Sequence, residues 1–389
     1  MQKVKFGIIG MGNQGTYYAN LFSEGKIDDA ELSAVSDGSL ARLEDVKRCF
    51  PGVHCFSDPI AMMESGMVDA VIVSTPHAFH TSLVKECLQR NLHVVCDKPA
   101  GIYAKEVREM NDLASTKDVK FAMMFNQRTN CIYRKMREII LGGGLGRLQR
   151  VTWIITDWFR TQAYYNARNW RATWVGEGGG VLINQCPHQL DLLQWVIGES
   201  PKTVRAFCYY GKWHDIEVED DVTAYFEYEN GATGMFMATT GEAPGTNRFE
   251  ICGTKGKLLC EDGKLFWYKN SCDALEMSKH SDKGFDLPDV EKMEVETDGY
   301  NSQHAGVLSN FAQAVLGKDT LWIEGQEGIK GVQLMNAITM SGWKDGQKVL
   351  FPVDEDEFLE MLKCKQSTSR LKVGCVEKVE DVSVTYKGK

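Results

Sequence analysis

Two patterns of apolar spacing divide the chain. Over roughly the first 126 residues, short continuous apolar runs alternate with amphipathic segments. KFGIIG (5–10) precedes a helical pattern over Thr16–Phe22, and ELSAVSD (31–37) follows. VDAVIVST (68–75) leads into AFHTSLVKECLQR (78–90), LHVVCD (92–97) into AKEVREMNDLAS (104–115), and VKFAMMFN (119–126) into IYRKMREIIL (132–141). Continuous apolar runs between amphipathic helices predict a parallel sheet covered on both faces, an α/β fold whose strand ends open on one crevice at the carboxyl edge. From Leu148 the pattern changes to strand candidates rich in β-branched and aromatic residues: LQRVTWIIT, KTVRAFCYYG, VTAYFEY, ATGMFMATT, RFEICGT and GKLLCE. Turns such as Glu229-Asn230-Gly231 and Gly253–Gly256 separate them. Helices are expected over about 302–315 and 325–342, followed by a charged tail.

A chain of 389 residues has two domains as its natural prior. The hydrophobic share of 43% and charged share of 25% exclude disordered and fibrous classes. With 44 basic against 53 acidic residues and no Lys/Arg cluster, nucleic acid is disfavoured and a small molecule becomes the default partner. The N-terminus runs directly into a strand pattern without a signal-peptide h-region, and there is no apolar stretch of about 18 residues, so a cytoplasmic protein without membrane contact is expected. None of the twelve cysteines forms Cys-x-x-Cys, and they read as reduced core thiols. There is no metal-ligand spacing.

The chemistry concentrates at the carboxyl ends of the apolar runs. Gly10, Gly12 and Gly15, with Asn13 and Gln14 between them, fit G-x-G-x-x-G: a tight turn, a close approach to a pyrophosphate, and close packing of helix on strand. Asp37, 22 residues after Gly15 at the end of the second run, is placed to accept from an adenosine ribose. Gly38 and Ser39 follow it rather than a cation for a 2′-phosphate, so NAD is favoured over NADP, with Arg42 close by. Ser74-Thr75-Pro76, Asp97-Lys98-Pro99 and Asn126-Gln127-Arg128 lie at the next strand ends.

Taken in order, G10-M-G-N-Q-G15, S74-T-P-H-A-F-H80, D97-K-P99, N126-Q-R128, W170-R171 and G178-G-G-V-L-I-N-Q-C-P-H-Q-L-D191 resemble the family of glucose–fructose oxidoreductase and inositol dehydrogenase (Gfo/Idh/MocA). With the C-terminal pattern, the resemblance covers about residues 3 to 355. It implies a Rossmann domain, here 1–126, and an α+β domain on a large open, mostly antiparallel sheet, here 127–364. The helix at about 325–342 is expected to pack back on the first domain, and 365–389 is a tail of unread role. It also implies NAD(P)-dependent oxidation of sugars or cyclitols, and a homodimer or homotetramer formed through the sheet.

Removing a hydride from a secondary alcohol needs a base for the hydroxyl proton. The family's catalytic lysine falls on Lys98, and its peptide to Pro99 is often cis in relatives. An ordinary lysine pKa of about 10.4 is too high, and burial beside a positive nicotinamide ring would lower it. Asp97 is expected to point to the opposite face. His188, in the first turn of a helix begun by Pro187, is the second catalytic candidate, held neutral by the positive helix end. Asp191 shares its face. Where the family commonly has aspartate and glycine, this chain has Asn184 and Cys186, so Lys98 and His188 are left as the pair and Asn184 as a hydrogen-bonding contact. His80 matches a family position in the Thr-Pro loop, with a structural role, and is counted with the cofactor residues; His77 and His304 have no stated role. The stretch 157–174, DWFRTQAYYNARNWRATW, holds six aromatics and three arginines suited to sugar faces and hydroxyls. Trp158, Tyr165, Arg128 and Arg171 are its candidates with the preceding strand end, and Trp170-Arg171 is placed near the cofactor by the resemblance. Two further readings stay open: cleavage of a glycoside through a transient 3-keto intermediate, and a non-catalytic NAD-binding regulator.

Overall fold

In a computed structural model describing residues 2–375, the apolar runs of the first pattern become β1 (Val4–Ile9), β2 (Ala30–Ser36), β3 (His54–Phe56), β4 (Ala70–Val73), β5 (His93–Cys96) and β6 (Phe121–Met123). They pair in parallel in the order β3-β2-β1-β4-β5-β6. That is the doubly wound order, and its direction reverses between β1 and β4, where such sheets bind ligands. Every residue of β4 is buried, as a strand with helices on both faces requires.

The second pattern becomes β7 (Leu148–Ile155), β8 (Thr203–Tyr210), β9 (Glu219–Glu227), β10 (Thr233–Thr239), β11 (Asn247–Gly253), β12 (Gly256–Glu261), β13 (Lys264–Asn270), β14 (Val290–Glu294) and β15 (Val349–Leu350). They form one nine-stranded sheet in the order β14-β13-β12-β11-β7-β10-β9-β8-β15, antiparallel at every step except β7 beside β10. The strand reading stopped one hairpin short. β12 and β13 are joined by Asp262-Gly263, both at positive φ, a two-residue turn whose Asp-Gly sequence was a usable signal for β13.

Residues 303–343 cross back to the first domain, which the division at 127 did not anticipate for the first of their helices. In the helix Gln303–Val315, Val307, Leu308 and Phe311 are buried, and Phe311 lies 6.0 Å from Phe6 of β1. This apolar face covers the parallel sheet. The helix Gly328–Trp343 joins both domains: Asn336 accepts from the Ala104 amide at 2.9 Å and donates to Ile102 O at 3.0 Å. Of the tail that begins at 365, residues beyond 375 lie outside the described residues. The core-thiol reading holds for Cys87, Cys96 and Cys186, whereas Cys49, Cys272 and Cys364 are exposed; none is disulfide-bonded. No helix among the described residues is long and apolar enough to cross a membrane.

Candidate active site

The three glycines differ in what a side chain would meet. Gly10 turns the chain after β1 at φ +94°, and a Cβ there would sit 2.5 Å from Ser74 O, across the switch point. At Gly15 a Cβ would fall 1.9 Å from Gly10 O, so only glycine lets the helix Asn13–Ser23 close on the strand. A Cβ at Gly12 would meet nothing within 4 Å, and no side chain caps the helix that starts there. An open backbone face at a helix N-terminus is what a pyrophosphate needs.

At the carboxyl edge of the parallel sheet, and on the Arg171 and His188 side chains of the second domain, are buried polar atoms with no hydrogen-bond partner among the described residues: Ser36 Oγ, Ser74 Oγ, Thr75 Oγ1, His77 Nδ1, Asn126 Oδ1, Arg171 Nε and His188 Nδ1. Polar groups left this way are costly unless a ligand completes them. Most come from the carboxyl ends of β2, β4 and β6, so the edge fits a dinucleotide. Asp37 takes the Met11 and Ser39 amides at 2.7 and 2.8 Å and the Arg42 guanidinium at 3.2 Å. Arg42 is thereby neutralised, which favours a ribose hydroxyl over a phosphate. Asp37→Ala is expected to weaken NAD binding roughly ten- to a hundredfold, the value of a hydrogen bond to a charged group, and to narrow the preference against NADP. Titration with both cofactors checks this, and unchanged affinities would dissociate Asp37 from the ribose.

Lys98 leaves the end of β5 after Asp97, and its peptide to Pro99 is cis. Its Nζ donates to Asn184 O at 2.9 Å. Burial, the largest influence, lowers its pKa, against Asp97, Cys186 and Glu177, which raise it; Arg160 assists the lowering. Asp97 does not touch the amine: Oδ1 accepts the Lys98 backbone N–H at 2.8 Å, and burial raises its own pKa. His188 stands in the first turn of the helix Pro187–Ile197. Its pKa is far below the ordinary value because of burial first, then Lys98 and His304. His80 ties two strand ends together, with Nδ1 2.7 Å from Pro99 O and Nε2 2.8 Å from Thr75 O.

Several expected contacts are already spent elsewhere. Arg128 forks onto Asp191 at 2.8 and 2.6 Å and reaches Glu327 at 2.8 Å, all within the protein, so neither Arg128 nor Asp191 is offered to a substrate. Tyr165 is buried with its hydroxyl on Thr240 at 2.8 Å. The Asn184 side chain donates to Glu177 and accepts from Tyr164 Oη at 3.0 Å, leaving its backbone carbonyl as the functional group toward Lys98. Trp158 lies half-buried beneath the Arg160 guanidinium, 5.5 Å from its ring centre.

Four residues without an assigned role in the sequence reading belong here. Tyr164, rather than its neighbour, faces the network, with Arg171 4.0 Å above its ring and bonded to its carbonyl at 2.9 Å. Glu177, fully buried, accepts the Ala172 amide at 2.6 Å and steadies that residue's positive φ beside Arg171; burial raises its pKa. His77 meets Trp170 edge-on at 6.0 Å, and its pKa is well below the ordinary value through burial, His80 and Lys98. His304 packs on Tyr17 at 5.2 Å and is pushed down to about 3 by burial and Lys98. Lys98 thus helps to lower the pKa of His77, His188 and His304 alike.

Fold and crevice together define a nicotinamide-nucleotide oxidoreductase built on a doubly wound domain. The chain belongs to the Gfo/Idh/MocA family: the model of its oxidoreductase domain with NAD-binding Rossmann fold matches residues 4–125, and that of its C-terminal domain matches 133–259. It is 26% identical over 266 residues to the myo-inositol 2-dehydrogenase of Thermotoga maritima, covering 67% of this chain and 75% of that one. To the D-glucoside 3-dehydrogenase of Escherichia coli it is 25% identical over 330 residues, 81% and 88% of the two chains. The solved structure of the WlbA dehydrogenase from Bordetella pertussis with NADH and UDP-GlcNAcA is similar at TM-score 0.75 and 26% identity, over 91% of this chain and 100% of that one.

Proposed function

We propose that the protein oxidises a secondary hydroxyl of a sugar, glycoside or cyclitol, with Lys98 as general base and His188 as its partner on the substrate. The observation that carries this reading is Lys98 itself, an amine at the carboxyl edge of β5 whose pKa burial lowers and whose Nζ is held by Asn184 O. Bound NAD would supply the acceptor for the hydride; Gly12, Asp37, Ser74, Thr75 and Asn126 are the residues to hold it.

Lys98 takes the hydroxyl proton in its neutral form. The Asn184 carbonyl directs the amine, and Glu177 and Tyr164 fix Asn184. His188, neutral, offers Nδ1 to a ring hydroxyl as donor or acceptor according to its tautomer. Arg171 offers its unpartnered Nε to another. The relatives named for inositol and glucoside oxidation support a polyol substrate. Because the base must be deprotonated, oxidation should quicken as pH rises through the Lys98 ionisation, which lies below the ordinary lysine value. A panel of free sugars, pyranosides, uronates and inositols with NAD⁺, followed by NADH absorbance, tests the reading; a panel that yields no NADH at all would contradict it.

Assembly belongs to the same proposal. Phe207, Tyr209, Tyr225 and Met235 are all more than one-third exposed and, by register, share one face of the nine-stranded sheet. Such an apolar face fits a subunit contact. Tyr225→Arg is expected to shift the wild-type dimer or tetramer toward monomer in sedimentation velocity; a wild-type monomer would end this part of the proposal.

A further inference from the structure

The described end of the chain turns back onto the wall of the crevice. Between the short helix Gln162–Asn166 and residue 181 the chain forms no helix or strand, yet this stretch carries Trp170 and Arg171. A segment without ladder bonds opens easily unless something else holds it. From the last turn of the helix Glu355–Thr368 onward, four bonds supply that hold. Gln366 Nε2 donates to Trp174 O at 3.2 Å, and the Val175 amide donates to Ser369 Oγ at 3.0 Å. The Lys372 amide donates to Asn169 O at 2.9 Å, and Lys372 Nζ donates to Tyr165 O at 2.9 Å. Ser369 also donates to Glu217, whose Oε1 accepts the Trp174 amide at 2.6 Å. Nearly all of these bonds engage the backbone of 165–175, so they fix its path. The Lys372 ammonium, half-buried, lies 6.0 Å from the Tyr165 ring centre and within electrostatic reach of Glu177 and Arg171.

We infer that residues 366–372 are a strap that holds the substrate wall of the crevice, with Ser369 and Lys372 as positioning residues. The inference rests on the reading that Arg171 faces the sugar. Arg171 bonds the Tyr164 carbonyl and stacks on its ring, so its aim depends on the path the strap fixes.

The test uses the full chain, comparing wild type, Ser369→Ala, Lys372→Met and Lys372→Arg by hydrogen exchange and steady-state kinetics. Amides of 158–176 should exchange about tenfold faster in Ser369→Ala and in Lys372→Met, the effect of losing one charge-assisted hydrogen bond. For a sugar that yields NADH, KM should rise about tenfold in these two while kcat and NADH affinity move less than about threefold, and Lys372→Arg should avoid most of both losses. Unchanged exchange overturns the strap whether or not any sugar is oxidised, and acceleration spread over the whole chain does the same. Faster local exchange with KM unmoved overturns the positioning role. If no sugar is oxidised, exchange alone decides for or against the strap, and the failure belongs to the proposed activity.

Discussion

Replacing Lys98 with methionine is expected to lower kcat for sugar oxidation by about a hundred- to ten-thousand-fold, the range a positioned general base contributes. Methionine keeps an unbranched stem of similar reach and removes the amine. The fold should survive, because what is lost is one hydrogen bond to Asn184 O, worth about 1 kcal/mol. NADH should still bind, since the glycine turn and Asp37 are untouched, and a fluorescence titration separates binding from turnover. The residual rate should also lose the rise with pH that the wild type shows. A kcat within tenfold of wild type would remove Lys98 from the role of base.

Arg128→Met carries the largest expected loss of stability, about 3–5 kcal/mol, the cost of leaving a buried charge without its partner. The side chains of Arg128 and Asp191 are only 5% and 2% exposed, and the pair joins the end of β6 to the helix that carries His188. Burial raises the Asp191 pKa, and Arg128 opposes that rise. With Arg128 gone, Asp191 must ionise unpaired or take up a proton. Arg128→Met/Asp191→Leu should recover most of the loss, because removing both charges removes the desolvation cost as well. Urea unfolding of the two variants measures this. A loss below about 1 kcal/mol for the single variant would mean that water or another group already satisfies Asp191.

The parallel sheet was legible because its signals are local. Apolar runs, the three glycines, and Lys98 directly before Pro99 are read within a few residues, and each lies at the strand end the pattern gives it. What was not legible depends on contacts between distant residues. Arg128 and Asp191 are both polar, both near family motifs and 63 positions apart; only the packing of two elements reveals that they neutralise each other. Tyr164 and Tyr165 are adjacent in a stretch without periodicity, and nothing in their order tells which turns to Thr240 and which to Asn184. Glu177 stands beside the recognised Gly-Gly-Gly run, but its importance comes from burial. His304 reaches the crevice because its helix crosses back to cover the first sheet. Asn184 shows the same limit: the loss of an expected carboxylate was plain, whereas the use of its backbone carbonyl was not.

The central claim is net hydride transfer from a carbinol carbon, with Lys98 removing the hydroxyl proton. It is tested most directly with the most active sugar of the panel, deuterated at its secondary carbinol carbons, incubated with NAD⁺ and followed by mass spectrometry. The predicted result is deuterated reduced cofactor accumulating in step with the keto sugar in wild type and almost absent in Lys98→Met. Release of a leaving group with no accumulation of deuterated cofactor, or equal deuterium transfer by the two proteins, would contradict it.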